Sequence, residues 1–142
     1  MKVSMRVDYG IRVLVDLSQH GGAAQTSDIA QRQAIPEPYL DQILTLLRKA
    51  GFITSKRGPQ GGHALARAPQ DISLGEVMAA LGGSSSLRCL EEPSGCNQFT
   101  ICVQRDVWRK IEEATQEVLS ATSIGELAHQ QERRQEAGMY YI

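Results

Sequence analysis

The sequence predicts a mainly α-helical fold, a winged helix-turn-helix with a β-hairpin wing, followed by a long C-terminal helix. Three observations predict it. Apolar residues recur every three or four positions over most of the chain, as on the buried face of a helix. A short and a longer helical pattern are separated by a tight turn at residues 34–37. Two β-prone runs, FITSK and HALA, then flank the Gly/Pro-rich tip RGPQGG, which is typical of a hairpin.

The composition is that of one globular domain. The chain has 142 residues, of which 42% are hydrophobic and 22% are charged, and these values are ordinary for such a domain. No apolar run is long enough to cross a bilayer, and the N-terminus lacks the continuous apolar segment of a signal peptide. We therefore expect a cytoplasmic protein that does not act at a membrane.

The charges are unevenly distributed along the chain. The net charge is −1, but residues 1–70 carry nine Lys and Arg against five Asp and Glu, whereas residues 71–142 carry six against eleven. The basic half suits a polyanionic partner such as nucleic acid. Chance unevenness on a neutral surface accounts for the same counts, so charge alone does not decide between the two.

The helix-turn-helix is predicted from apolar spacing and end signals. Residues 2–19 have apolar residues on two faces, so this first helix is expected to be buried from two sides. A second, short helix follows a cap at Thr26 or Ser27. Pro38 suits the first residue of a third helix, which ends at Gly51. The apolar stripe of the third helix consists of Leu40, Ile43, Leu44 and Leu47.

Further helices are predicted after the hairpin. Ser73 and Glu76 have the spacing of a capping box at the start of a fourth helix, and residues 82–102 are predicted to be irregular. The helix that follows, at 103–122, has apolar residues at alternating three- and four-residue steps, a narrow seam that needs a partner helix. That partner is either the helix's own domain or a second copy. We favour a two-fold dimer, because a symmetric protein matches symmetric DNA half-sites.

All three cysteines lie in RCLEEPSGCNQFTIC, residues 88–102, which we call the thiol segment. Six residues separate Cys89 from Cys96, and five separate Cys96 from Cys102. In a cytoplasmic protein, clustered thiols indicate metal binding or redox chemistry rather than a structural disulfide. No Ser/His/Asp arrangement or phosphate-binding loop is evident, so an enzyme is not expected. The following histidines are interpreted as structural or surface residues: His20, His63 and His129.

The order of five segments resembles the Rrf2 family of bacterial winged-helix transcription regulators, whose cluster-binding type includes IscR, NsrR and RirA. The segments are YGIR in the first helix, IPEPYLDQILTLLRKAGFI, the wing RGPQGGHALA, ISLGEVMAAL and the thiol segment. The resemblance implies a homodimer that binds a pseudo-palindromic operator in double-stranded DNA, with the third helix in the major groove and the wing in the minor groove. The DNA-contacting positions that it implies are Pro38, Tyr39, Asp41, Gln42, Arg48, Lys49, Lys56, Arg57, Gly58, Gly61 and Gly62.

Several of these positions have a second interpretation. Asp41 and Gln42 suit base edges, because Asp accepts from cytosine N4 and Gln pairs with adenine N6 and N7, but carboxylates also favour the N-terminal ends of helices. Arg57 suits a narrow minor groove, whose negative potential attracts a guanidinium. Arg48 and Lys49 either contact phosphates or stabilise the helix end. The wing glycines either allow close backbone approach to DNA or simply form the turn.

The resemblance also implies that Cys89, Cys96 and Cys102 ligate an iron–sulfur cluster, for which thiolates are suitable soft donors. Some members supply a histidine as fourth ligand where this chain has Arg105. Others supply an aspartate from the first helix of the other subunit, and Asp8 stands at the matching position. We therefore expect Asp8 as the fourth ligand and a 4Fe–4S rather than a 2Fe–2S cluster. The alternative role for Asp8 is a surface ion pair four residues along its helix.

The chain is thus expected to be a DNA-binding transcriptional regulator whose promoter binding is controlled by an iron–sulfur cluster that senses redox state, nitric oxide or iron status. The alternative is a zinc-bound or thiol–disulfide redox-sensing regulator without such a cluster. The predicted parts are a winged helix-turn-helix DNA-binding domain at 1–82, a cluster-binding loop at 83–102, a dimerisation helix at 103–122, and a short helix with a polar tail at 123–142.

Overall fold

The computed structural model describes residues 2–82 and 88–139, which form seven α-helices and one two-stranded antiparallel sheet. The helices are α1 (Met5–His20), α2 (Thr26–Gln33), α3 (Glu37–Lys49), α4 (Leu74–Leu81), α5 (Arg88–Glu91), α6 (Val103–Ala121) and α7 (Ile124–Met139). The strands are β1 (Ile53–Lys56) and β2 (Gly62–Leu65), and they follow α3 in the chain. The mainly helical fold with a hairpin wing, predicted from the sequence, is confirmed.

Helix α1 is the centre of the domain. It packs against α2, α3, α4 and α7, and its residues Val13 and Leu14 are completely buried. Gly10 allows α4 to approach closely, because a Cβ at this position would overlap Leu81. A helix with neighbours on several sides needs more than one apolar face. The double apolar pattern of residues 2–19 therefore reflects this central position.

A buried carboxylate joins α1 to α2. Asp16 is completely buried, and it accepts hydrogen bonds from Arg32 Nε at 3.0 Å and Arg32 Nη2 at 2.7 Å. Gln33 Nε2 donates a third bond at 2.9 Å. The hydrogen bond to Asp16 raises the pKa of Arg32. Because Arg32 and Gln33 end α2, this pairing positions the chain immediately before the turn of the helix-turn-helix.

The capping box predicted for α4 is present, whereas the cap predicted at Thr26 or Ser27 is not. Helix α2 already begins at Thr26, and its N-cap is Gln25, whose side chain makes no capping hydrogen bond. Ser73 Oγ accepts from the Glu76 backbone N–H at 3.2 Å, and the Glu76 carboxylate accepts from the Ser73 backbone N–H at 3.0 Å. This is the capping box expected from the sequence, and it starts α4. Ser123 caps the start of α7, since its Oγ accepts from the Glu126 backbone N–H at 3.1 Å.

Pro38 is the second residue of α3 rather than the first, because the helix begins at Glu37. Two further sequence expectations differ from the structure. The short helix and polar tail expected at 123–142 is instead a 16-residue helix that reaches Met139, because Ile124 and Ala128 are buried and α7 packs along α1. The stretch 82–102, expected to be irregular, contains helix α5 and a 3-10 turn at Pro93–Gly95. Among the residues that the structure describes, no helix combines the length and apolarity needed to span a bilayer.

Candidate nucleic-acid interface and thiol segment

Helix α3 presents a polar face to solvent. The turn before it uses the left-handed conformation at Ala34, with φ of 51°, and buries Ile35. The stripe Leu40, Ile43, Leu44 and Leu47 is buried against the core. The opposite face is exposed and includes these predicted positions: Pro38, Tyr39, Asp41, Gln42, Arg48 and Lys49.

Tyr39 links this face to α1. Its ring is 58% exposed, and it meets the Tyr9 ring edge-on, with centroids 6.4 Å apart. The Arg12 guanidinium lies over the Tyr9 ring at 5.4 Å from its centroid. In the sequence, Tyr9 stands out only as part of the YGIR segment and no contact is assigned to it, because an aromatic contact between two helices leaves no periodic signal.

The wing projects beside α3. Its strands pair from Ile53 with Leu65 to Lys56 with Gly62, so Arg57 and Gly58 lie at the exposed tip. Gly58 has φ of 102°, a value that side chains rarely adopt. The predicted wing positions, Lys56, Arg57, Gly58, Gly61 and Gly62, therefore lie together at one end of the hairpin.

Polar contacts hold the wing to the segment before α2. His63 Nδ1 lies 2.7 Å from Ser55 Oγ, and His63 Nε2 lies 2.9 Å from Thr26 Oγ1. Gln25 Nε2 donates to the carbonyl oxygens of Gly58 at 3.3 Å and Gly61 at 3.1 Å. The sequence predicts His63 to be a structural or surface residue. Its contact with Thr26 and the bonds from Gln25 cross more than thirty residues of chain, so no local pattern indicates them.

The thiol segment carries three free, half-buried cysteines. Cys89 lies on α5, Cys96 follows the 3-10 turn, and Cys102 immediately precedes α6. Among the described residues, no three Cys, His, Asp or Glu side chains are grouped closely enough to hold a metal ion. A metal group shared by the three thiols therefore requires the segment to close around it.

Arg105 supplies a second observation about this segment. Its guanidinium stacks on Phe99 at 3.8 Å from the ring centroid, and Phe99 lies between Cys96 and Cys102 in the chain. Arg105 Nη1 is buried and has no hydrogen-bond partner among the residues that the structure describes. A buried, unsatisfied guanidinium nitrogen is unfavourable. An anionic sulfur group held by the thiols would accept from it, so donor type and local charge both suit an iron–sulfur cluster.

Asp8 lies on α1, away from the three thiols in the chain. Its carboxylate is 3.7 Å from Arg12 Nη1, and the Asp8 side chain is 49% exposed. The ion pair considered as its alternative role is therefore present in the structure. Arg12 also donates from Nη2 to the carbonyl oxygen of Gln33, at the end of α2. The pair thus connects the exposed surface of α1 to the helix-turn-helix.

Sequence and structure comparisons extend over most of the chain. A family model described as Rrf2, iron-dependent transcriptional regulator, matches residues 3–130. Protein rrf2 of Nitratidesulfovibrio vulgaris (strain Hildenborough) is 38% identical over 130 residues, which are 89% of this chain and 87% of that protein. The HTH-type transcriptional regulator CymR of Bacillus subtilis is 34% identical over 145 residues and covers 100% of both chains.

Two solved structures share the fold. The structure of T. potens IscR superposes with a TM-score of 0.78 at 36% identity and covers 95% of this chain and 91% of that one. The structure of B. subtilis CymR, described as the global cysteine regulator of that organism, has a TM-score of 0.76 at 34% identity and covers 91% of this chain and 97% of that one. The family model, which matches residues 3–130, extends over the wing, the thiol segment and α6.

Proposed function

Because the chain belongs to the Rrf2 family of transcriptional regulators, we propose that it binds a pseudo-palindromic operator as a cytoplasmic homodimer and that an iron–sulfur cluster in the thiol segment controls this binding. The family's members are regulators and not enzymes. The observation that carries the cluster assignment is the set of three free, half-buried thiols in one short segment, followed three residues after the last thiol by Arg105, whose buried Nη1 has no partner among the described residues.

The DNA-binding surface is formed by α3 and the wing. Exposed polar residues at the start of α3, such as Asp41 and Gln42, can reach base edges in a major groove. Arg57 at the wing tip can enter an adjacent minor groove. Arg48 and Lys49 at the end of α3 supply positive charge for phosphate contacts. This surface belongs to the basic half of the chain.

The cluster would be held by Cys89, Cys96 and Cys102 of one subunit and by Asp8 of the partner subunit, with 4Fe–4S favoured over 2Fe–2S. When bound, the cluster would be the sensing group, because its charge and integrity respond to oxygen, nitric oxide and iron supply. An oxygen donor such as Asp8 leaves one iron more exchangeable than a fourth thiolate would. A second candidate is zinc or reversible thiol oxidation at the same cysteines. Thiol oxidation is supported by a related structure, 30% identical to this chain, that is described as the oxidized form of Staphylococcus aureus CymR.

Residues of this chain can transmit the state of the thiol segment to the DNA-binding surface. Asp8 pairs with Arg12, and Arg12 donates to the Gln33 carbonyl just before the helix-turn-helix turn. If Asp8 ligates a metal, Arg12 loses its ion pair with this carboxylate. The hydrogen bond from Arg12 to the Gln33 carbonyl, at the end of α2, is then altered. Two states with different DNA affinity are sufficient for a switch, and coupling of roughly 1–3 kcal/mol is typical.

The cluster assignment is tested by preparing the protein without air and measuring iron, sulfide and zinc by elemental analysis and cluster type by Mössbauer spectroscopy. We expect iron and sulfide in equal amounts, with loss of both in Cys96→Ser and reduced retention in Asp8→Ala. Asp28→Ala, which changes an exposed carboxylate at the start of α2, is the matched control and should keep the cluster. Stoichiometric zinc, or metal-free protein with reversible disulfide formation, would establish the second candidate instead.

A further inference from the structure

The wing is joined to the start of α2 through His63, and we propose that His63 is a positioning residue that sets where the wing tip lies relative to α3 on DNA. This inference rests on the proposed contact between the wing and DNA. His63 lies on β2, Ser55 lies on β1 and Thr26 is the first residue of α2. The imidazole contacts both hydroxyl groups, so it connects both strands of the wing to the helix-turn-helix.

The chemistry of a neutral imidazole satisfies both contacts. One ring nitrogen carries a proton and donates, while the other accepts, and a hydroxyl group can play either role. Burial lowers the pKa of His63, and the charge of Arg48 lowers it further, whereas Asp41 acts in the opposite direction. The neutral ring is therefore the form that the fold favours near neutral pH.

The backbone reinforces the same connection. The Ala24 N–H donates to the His63 carbonyl at 2.9 Å, and the His63 N–H donates to the Ala24 carbonyl at 2.8 Å. Gln25 holds the carbonyl groups of Gly58 and Gly61 in the tip. Gly62 is needed beside Ala24, because φ is 125° and an added Cβ would lie 2.6 Å from the Ala24 oxygen. Every one of these contacts lies on the tip side of the hairpin.

The base of the hairpin is held differently. Phe52 and Ile53 are buried in the apolar core, so the strands stay attached when a polar contact near the tip is removed. A two-stranded hairpin with four-residue strands has little rigidity by itself. Losing the contacts at His63 should thus leave the domain folded while the tip, with Arg57, samples more orientations. The free-energy cost of ordering the tip on DNA then weakens binding.

The test is a double-mutant cycle between Arg57→Ala and changes that break the connection. Thr26→Val removes the hydroxyl on α2 with little change in shape, and His63→Phe removes both ring nitrogens. Ser55→Ala is the matched control, because it removes a contact within the hairpin but leaves the bond to α2. The probe is a duplex selected by the wild-type protein from a random pool, with Kd measured by fluorescence anisotropy at fixed salt.

We expect Arg57→Ala to weaken binding about tenfold in the wild-type and Ser55→Ala backgrounds, but less than about threefold in the Thr26→Val and His63→Phe backgrounds. His63→Gln, whose amide can again bond Thr26, should restore most of the Arg57 effect. The same tenfold loss in every background would overturn the proposal, because His63 would then contribute only to stability. Thermal unfolding of each variant identifies any that fail to fold. If His63→Phe is unfolded, Thr26→Val alone provides the test.

Hydrogen exchange of the free protein gives a readout that does not depend on DNA. We expect the tip amides of residues 57–62 to exchange several-fold faster in Thr26→Val than in Ser55→Ala. If Arg57→Ala has no effect even in the wild-type background, the proposed contact between wing and DNA is wrong, and exchange then decides the connection by itself. Unchanged tip exchange in Thr26→Val would overturn the positioning role.

Discussion

At the residue scale, Arg105 is the side chain whose surroundings bear most directly on the cluster proposed for the thiol segment. Its guanidinium is stacked on Phe99 and one of its nitrogens is buried without a partner among the described residues. Thiolate clusters carry negative charge, and hydrogen bonds to their sulfurs stabilise them and alter their reduction potentials. The residue is therefore well placed to act on a cluster without ligating it.

We expect Arg105→Gln to release iron to a chelator roughly five- to tenfold faster than the wild-type protein, and to have a more negative reduction potential, because removing a positive charge disfavours added electrons. The rate of absorbance loss in anaerobic protein and a redox titration measure these two effects. Arg109→Gln is the control, since Arg109 is exposed and paired with Asp106 at 3.0 Å. Equal rates of iron release in Arg105→Gln and Arg109→Gln would show that Arg105 has no specific effect on the cluster.

Asp16 is the residue on which the attachment of α2 most depends. We expect Asp16→Ala to lower the free energy of unfolding by about 3 kcal/mol, the lower end of the range for a broken buried ion pair, because Arg32 is 31% exposed and can regain water. Urea denaturation measures this loss. Asp28→Ala, at an exposed site on α2, should cost less than about 1 kcal/mol, and a comparable loss in both variants would contradict the role of the buried pair.

At the scale of elements, α3 and α4 show how local signals become functional geometry. The buried stripe of α3 determines which of its faces reaches solvent, so its polar residues all appear on the candidate DNA surface. The capping box starts α4 a few residues after the wing, and Ser73 also pairs with Ser123, immediately before α7. The same short sequence therefore begins one helix and anchors another.

The capping box should make the stability of α4 depend on pH. The pKa of Glu76 is lowered by the hydrogen bond from the Ser73 backbone and by Arg67. The stability that the Glu76 carboxylate contributes is thus fully present above the usual carboxyl pKa of about 4.3. It is lost as pH falls through the lower pKa of Glu76 in the folded state. Because Glu76 is 46% exposed, we expect Glu76→Gln to cost less than about 1 kcal/mol at pH 7. The thermal midpoints of the wild-type protein and Glu76→Gln, measured from pH 7 to pH 3, should converge at the acid end. A difference between the two that stays constant over this range would exclude the carboxylate charge as its source.

At the scale of the whole molecule, α6 carries an apolar surface that its own domain does not cover. Val103, Val107, Ile111 and Val118 are all more than half exposed, while Leu119 near the end of the helix is buried. Apolar residues on one face of a long helix are typical of a helix-pairing interface. The family relationship and this surface both favour a homodimer built on α6.

We expect Ile111→Glu to convert a dimer of twice 15.6 kDa into a monomer, because it places a charge in the centre of the apolar face. Light scattering after gel filtration measures the mass. The affinity for a palindromic duplex should fall at least about tenfold, since two linked half-site contacts become one. Glu113→Ala lies on the other side of α6 and should leave the mass unchanged. A monomeric wild-type protein would contradict the homodimer, and an Ile111→Glu variant that stays dimeric would place the interface elsewhere.

The sequence by itself determined the order of helices, the wing, the capping box and the grouping of the thiols. These features depend on residue spacing and on local hydrogen bonds, which a linear pattern contains. Glu37–Lys49 and the RGPQGG tip were therefore predictable, and so was the exposed side of α3. The length of α7 was not, because its polar pattern resembles a tail until α1 covers one side of it.

Only the tertiary structure decided the contacts between distant segments. The buried pair of Asp16 and Arg32 and the contact of His63 with Thr26 join residues whose types say nothing about their partners. The buried Arg105 Nη1, which has no partner within the described part of the chain, is equally invisible in the sequence. The physical reason is that hydrogen bonds and ion pairs stabilise a fold only when both groups lose water together. Which groups do so depends on how α1, α2 and the wing are packed in space, and that packing has no counterpart in the linear pattern.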